Sequence, residues 1–514
     1  MLDDLPQEKS TFSLLTANDL QQFVQALPPD PFRAVDSVVA QLEGVLDSGM
    51  DVAARFGVVS QLDEAAQSRV KQLALGYLQI PRPGKAEENR LRTMILGFWA
   101  NVSRVYGHIL AAVVEGKDAS AKQLMPRLPF LVGRTLVSVG EHLKWEYFGY
   151  GTISKKFWAN VGRTYLLSEK FGFAEKTLQI YPGIGGISSP QKEYLKILFF
   201  QTASLNSLLP PEIELADRLI AHLLPSFVFS ETEEEQSLYW VAVGSEREPT
   251  RSSCPPPASL RAVRYFHAGD AAARLHLLMQ EAETANAIPV KISQDERFNL
   301  RDFLNVTQHL AQQWSKTAPQ RRFERHAILR RVTVLPGFVN SYVMTAPEFG
   351  GKPSGLPLES WIVENVSRGG FGAVIKRVNS DWIRVGALLA LQPEESGGWL
   401  IGVIRRVRHV SDEEIKVGIE TLSKRIAALE TRPRSVSSVA FNPGSPALWL
   451  QDDDPKEPIR FVFPRDTFNP EERLESEYNG RRIFLTPVEL KEQGLDYEIA
   501  TYKVTVAAAS QNAA

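Results

Sequence analysis

The sequence has little cysteine, little surplus charge and no long apolar run, and each shortage removes a class of protein. A single cysteine, Cys254, stands in 514 residues. One thiol forms neither an intramolecular disulfide nor a cysteine-rich zinc site, which fits a reducing compartment. Lysine and arginine number 58 against 60 aspartates and glutamates, a formal net charge of −2. No global field therefore gathers a nucleic-acid polymer or an anionic membrane, and any anion site must be a local basic cluster. The most apolar stretches, Gly107–Val114 and Val385–Leu391, fall far short of the ~20 residues that span a bilayer. The opening MLDDLPQEKS is acidic and polar, without the basic and apolar regions of a secretory signal. A cytoplasmic protein without a membrane span is the expectation.

Catalytic grammar is also missing. The sequence holds no P-loop, no G-x-G-x-x-G after a strand, no G-x-S-x-G elbow and no H-E-x-x-H. Gly183-Ile184-Gly185-Gly186 has no Lys-Ser/Thr after it and reads as a loop. The eight histidines lack ligand spacing. His142 and Glu146, four apart, suit a surface salt bridge better than zinc. No catalytic residue, metal or cofactor is expected, and the chain reads as a binder rather than an enzyme.

What is present divides into three parts. At 514 residues, with 44% hydrophobic and 23% charged positions, the chain should fold as two to four domains. Residues 1–317 read as all-α, with helical spacing in Ala34–Leu46, Leu91–Val114, Leu128–His142, Tyr194–Leu209, Leu260–Glu281 and Leu300–Trp314. Tyr181–Pro190 and Gly244–Ala258 read as loops. From 318 to 428 the pattern becomes six short strands: Ala327–Leu335, Glu359–Val366, Phe371–Val378, Arg384–Leu391, Trp399–Val410 and Ile415–Leu422. Strands at this spacing predict a small antiparallel β-barrel. Glu430–Ser438 reads as a linker, and 439–506 as a smaller β-rich domain with a tight hairpin at Asn479-Gly480. The fold class is thus multidomain α+β.

One cluster breaks the neutrality. Arg321, Arg322, Arg325, Arg330 and Arg331 fall within eleven residues with only Glu324 against them, a local charge of +4. The guanidinium fork suits phosphate oxygens and the O6/N7 edge of guanine; the plainer reading is a solvated basic linker. A second element, Asn365-Val366-Ser367-Arg368-Gly369-Gly370, closes the expected second strand. It combines a short amide, a hydroxyl and glycines in a turn that a ligand can approach closely. Asn101-Val102-Ser103-Arg104 repeats its first four letters without the glycine and reads as helix surface.

Together these elements resemble the PilZ family, which binds the bacterial second messenger cyclic di-GMP. The family signature is R-x-x-x-R before the first strand and [DN]-x-S-x-x-G at the end of the second. Arg321-Arg322-Phe323-Glu324-Arg325 matches the first; Asn365, Ser367 and Gly370 match the second. Gly370-Phe371-Gly372-Ala373-Val374, Val385-Gly386-Ala387-Leu388 and Lys416-Val417-Gly418-Ile419-Glu420 agree downstream. The resemblance covers roughly 319–425. It implies a six-stranded barrel on which Arg321, Arg325 and, sharing their role, Arg322 clamp guanine edges and phosphates. Asn365 and Ser367 would meet base and phosphate, with Gly370 allowing the close turn. Thirty-nine residues separate Arg325 from Asn365, because Pro336–Leu358 makes a long connection, which could displace the arginines or supply a lid. The implied function is a cyclic di-GMP receptor that signals to a protein partner; the alternative is a ligand-free structural adaptor in a larger assembly. Neither the partner nor the oligomeric state is written in the sequence.

Overall fold

The structure, a computed structural model, describes residues 13–14, 16–79, 85–116, 119–182, 184–293, 298–317, 323–346, 355–376, 382–394, 398–411, 413–434, 444–451 and 459–506. The chain divides into two compact units: Met1–Leu205 with Leu209–Pro319, and Asn206–Leu208 with Gln320–Ala514.

The first unit begins with seven helices: α1 (Ala17–Gln25), α2 (Pro31–Gly44), α3 (Val52–Leu78), α4 (Lys85–Glu115), α5 (Ala119–Gln123), α6 (Leu128–Phe148) and α7 (Lys155–Lys170). The α4 stripe behaves as its spacing requires: Leu91, Ile95, Phe98, Val102, Val105, Ile109 and Val113 are all buried. Helix starts are set by short polar caps. Asp30 accepts from the Arg33 amide at 2.8 Å ahead of Pro31, and Asp51 accepts from the Ala54 amide at 2.8 Å. A hairpin, β1 (Leu178–Tyr181) and β2 (Ile184–Ser188), leads to α8 (Pro190–Thr202) and α9 (Pro210–Leu223).

Next comes a four-stranded sheet in the order β3-β6-β4-β5, with β3 Val228–Ser230, β4 Tyr239–Ala242, β5 Thr250–Arg251 and β6 Val263–His267. Helices α10 (Ala271–Ala285) and α11 (Leu300–Gln313) end the unit. Its core holds a polar knot. Asp63 accepts from Tyr106 at 3.0 Å, Tyr181 at 2.9 Å and Gln67 at 2.6 Å, beside buried Arg134. Burial pushes the Asp63 carboxyl up to about 6 against the pull of Arg134.

The region is helical as expected, with two small sheets added. Tyr181 and Ile184–Ser188 form hairpin strands where a loop was expected, and β5 lies inside the expected loop Gly244–Ala258. The helix expected from Leu260 starts only at Ala271, because Val263–His267 joins a sheet. In Val-Arg-Tyr-Phe-His, branched and aromatic side chains favour the pleat over the helix.

The second unit holds two closed six-stranded antiparallel barrels. The first comprises β7 (His326–Pro336), β8 (Glu359–Ser367), β9 (Gly370–Lys376), β10 (Leu388–Pro393), β11 (Leu400–Ser411) and β12 (Glu414–Ser423), with a short helix α12 (Phe338–Thr345) between β7 and β8. Its ring runs β10-β11-β12-β9-β8-β7, and β10 closes onto β7. The second comprises β13 (Ile426–Pro433), β14 (Ser445–Leu450), β15 (Ile459–Pro464), β16 (Leu474–Tyr478), β17 (Arg481–Gln493) and β18 (Tyr497–Val506). Its ring runs β13-β14-β15-β18-β17-β16, closed by β13 on β16. The β16–β17 turn is the expected Asn479-Gly480, with φ of 51° and 72°.

The barrels share a core. Leu335, Phe338, Leu388, Ile401 and Leu422 pack in one cluster with Leu448, Leu450, Val462, Tyr497 and Ile499. Only Lys424 and Arg425 separate β12 from β13, so β13 occupies part of the expected Glu430–Ser438 linker. Asp496 accepts from the Phe338 amide at 2.7 Å and so caps α12 from the second barrel. Arg405 places a fork on Glu492 at 2.7 and 2.6 Å and bonds Glu420 at 2.6 Å. Among the described residues, no helix is long and apolar enough to cross a membrane.

Candidate functional site

Strand β8 ends at Ser367 and β9 starts at Gly370, and these two residues pair. Ser367 Oγ donates to the Gly370 carbonyl at 3.3 Å. Gly370 is required by space: a Cβ there would lie 1.9 Å from the Ile419 carbonyl oxygen of β12. Gly372, paired with Asn365, plays a quieter part. A Cβ on it would meet the Asn365 amide at 2.6 Å, so its absence makes the seat for that side chain. Asn365 Oδ1 is buried there and has no hydrogen-bond donor among the described residues. A buried acceptor without a donor is costly to the fold.

The arginine segment reaches this turn through the sheet. Strand β7 pairs His326 with Val366 and Ala327 with Asn365. Arg325 is the residue immediately ahead of this ladder. Arg325 is exposed; Arg321 and Arg322 lie outside the described residues. Phe323 closes the approach: its ring occupies the space over Gly369, where a Cβ would come within 2.8 Å. The Arg368 guanidinium lies 6.0 Å from the ring centroid. A register slip between Ala327 and Arg330, a β-bulge, leaves Leu329 80% exposed beside exposed Arg330 and Arg331. The nearby acid Glu364 is neutralised by Lys416 at 3.0 Å. The described charges about the turn are thus mainly positive.

Sequence reasoning missed Phe323, Arg368 and Gly372. Phe323 stands alone as an aromatic among arginines, and Arg368 fills a variable place in the motif; either was open to notice. The role of Gly372 depends on cross-strand register. Elsewhere the Asn101 copy is helix surface: Asn101 Nδ2 donates to the Gly97 carbonyl at 3.0 Å and Arg104 to Asn101 at 2.9 Å. His142 lies 3.6 Å from Glu146, the pairing its spacing suggested. No group of three or more His, Cys, Asp or Glu among the described residues could hold a metal.

The barrel and its turn define a PilZ-domain protein, and the comparisons agree. Residues 354–427 match the family model described as cyclic-di-GMP receptor FimW, middle PilZ domain. Residues 18–234 match its companion, cyclic-di-GMP receptor FimW, N-terminal domain. The two matches together span more than half of the chain, which belongs to the cyclic-di-GMP receptor FimW family. No curated protein matches the chain. The arginine segment lies ahead of the matched PilZ range.

Proposed function

We propose that the chain binds cyclic di-GMP at the β8–β9 turn of its first barrel and passes that event to a protein partner. Arg321, Arg322 and Arg325 supply the forks for phosphate and guanine O6/N7. Asn365 and Ser367 supply the amide and hydroxyl on the barrel, and Gly370 keeps the turn close. One observation supports the reading most: β7 pairs Ala327 with Asn365 and Phe323 sits over Gly369, so described residues next to the arginines lie beside the motif turn. The empty Asn365 acceptor supports it. Nothing in this arrangement calls for bond-making, so the role is recognition.

Transmission follows from cost. Ordering the arginine segment takes on the order of 1–2 kcal/mol per residue, so a ligand must make several bonds there at once. A dianion would relieve the repulsion among the arginines and hold that segment against the barrel, a change that a partner can read. The test is calorimetry of the whole chain with cyclic di-GMP, cyclic di-AMP and GTP. Saturable binding of cyclic di-GMP alone is expected. Its absence would leave the ligand-free adaptor as the better reading.

A further inference from the structure

In the helical unit a cavity of about 550 Å³ opens where α3, α4, α6, α8 and α9 converge on the β1–β2 hairpin. That is the size of a small-molecule site. Much of its wall is apolar, with Leu75, Trp99 and Trp145, and a charged group of residues lines the remainder. Most of those charges are already engaged with each other. Lys144 Nζ lies 3.0 Å from Glu141, 3.2 Å from Asp217 and 3.4 Å from Glu214. Lys196 bonds Asp217 at 3.0 Å and Arg218 bonds Glu214 at 3.0 Å. A net closed in this way fixes the wall and leaves few cations for a ligand.

Exposed Lys71 stands outside the net, as do two less exposed lining groups, Glu193 and Trp99. Glu193 takes a hydrogen bond from the Ser188 hydroxyl at the end of β2, and no ion pair involves it among the described residues. Burial raises its pKa, with the Lys196 charge opposing. Trp99 is 4% exposed, and its indole Nε1–H has no acceptor among the described residues. An unpaired carboxyl and an unpaired N–H around one partly apolar cavity are complementary to a cation that carries its own acceptor.

We propose that this cavity binds a small organic cation, an ammonium or guanidinium on an apolar stem that also bears a carbonyl oxygen. The cation pairs with Glu193, the carbonyl accepts from Trp99, and the stem lies along Leu75 and Trp145. An anion is the wrong complement, since the buried cations are held by carboxylates and Glu193 would repel it. The site is independent of the dinucleotide reading of the barrel.

The test titrates the whole chain with Nα-acetylarginine amide, Nα-acetyllysine amide and, as the acidic control, Nα-acetylglutamate amide. Each runs up to roughly 10 mM, where even weak ligands register. Tryptophan fluorescence and calorimetry in two buffers of different protonation heat follow the binding. A cation should saturate, the acid should not, and the two buffers report any proton exchanged on binding. Glu193→Gln should weaken binding about tenfold and Trp99→Phe about fivefold, the scale of one hydrogen bond to a charged or neutral partner. The proposal is overturned if neither cation binds, if the acid binds comparably, or if both variants bind like the parent with an unchanged melting temperature.

Discussion

Counted from its own first strand, each barrel pairs its strands 1–2, 2–3, 3–6, 6–5, 5–4 and 4–1. The wiring is the same; what differs is the turn after the second strand and the chain ahead of the first. In the first barrel that turn is Asn365–Gly370, and an arginine-rich arm precedes β7. In the second, the corresponding stretch runs Gln451-Asp452-Asp453-Asp454-Pro455-Lys456-Glu457-Pro458, four acids against one lysine, and only Lys424-Arg425 precedes β13. The two stretches thus differ in the sign of their charge. Topology supplies a platform, and what sets the first barrel apart is a few residues at one edge. The second barrel instead gives its Leu448, Leu450, Val462 and Tyr497 to the shared core and its Asp496 to α12.

The comparison can be broken most forcefully at Gly370. A Cβ there meets the Ile419 carbonyl at 1.9 Å, so Gly370→Ala must push β9 off β12. A loss on the order of 3 kcal/mol in chemical denaturation is expected, at the upper end for overpacking. The equivalent first residue of β15 is Ile459, so the second barrel has no such requirement. A Gly370→Ala protein of parental stability would mean the turn is not held as described.

Binding is expected to separate the two ends next. Arg325→Ala should cost about 1.5–3 kcal/mol of cyclic di-GMP affinity, the range for hydrogen bonds from a charged group. Asp453→Ala in the acidic stretch and Arg104→Ala at the Asn101 copy should leave the calorimetric affinity unchanged. A loss at Arg104→Ala equal to that at Arg325→Ala, with a gain at Asp453→Ala, would reduce the site to general charge.

Asn365→Ala should have effects of opposite kind on affinity and stability. Affinity should fall by about 1 kcal/mol, one hydrogen bond. Stability should hold or rise slightly in thermal melts, since the variant removes a buried acceptor that has no donor among the described residues. A residue kept for the fold alone would lose stability instead.

Much of this division was legible in the sequence because barrel strands alternate and the turn residues are chemically specific. Five strands of the first barrel fall within about two residues of their expected bounds, and the fourth starts at Leu388 rather than Arg384. Strand β13 was not legible: Ile-Ala-Ala-Leu-Glu-Thr-Arg-Pro lacks strand propensity, and closure of the ring, with Leu429 and Thr431 inward, overrides it. Strand β16, Leu-Glu-Ser-Glu-Tyr, is too polar to read as half-buried. Helix α12 was hidden in an expected loop because it is stabilised by Phe338 in the shared core and by a cap from Asp496, more than 150 residues away. At the site, residue types were legible, but the seat made by Gly372 and the docking of Phe323 required the register.

The smallest expected effect is also the most specific to the first barrel. Phe323 is 40% exposed yet sits over Gly369, so it adds little to stability and works on the position of Arg325. Truncating it to alanine removes a partly buried ring contact and should lower cyclic di-GMP affinity by about 0.5–1 kcal/mol, with the melting temperature nearly unchanged. Hydrogen exchange discriminates the cause. In the parent protein, ligand should slow exchange at 323–327 and 365–370 while Leu91–Val114 stays constant. In Phe323→Ala the protection at 365–370 should persist and that at 323–327 should weaken, because the arm is no longer tethered at the turn. If affinity falls while protection of the arm is intact, Phe323 contacts the ligand directly rather than positioning the arginines. If neither changes, the seat over Gly369 has no part in binding, and the arm reaches the turn by the β7–β8 ladder alone.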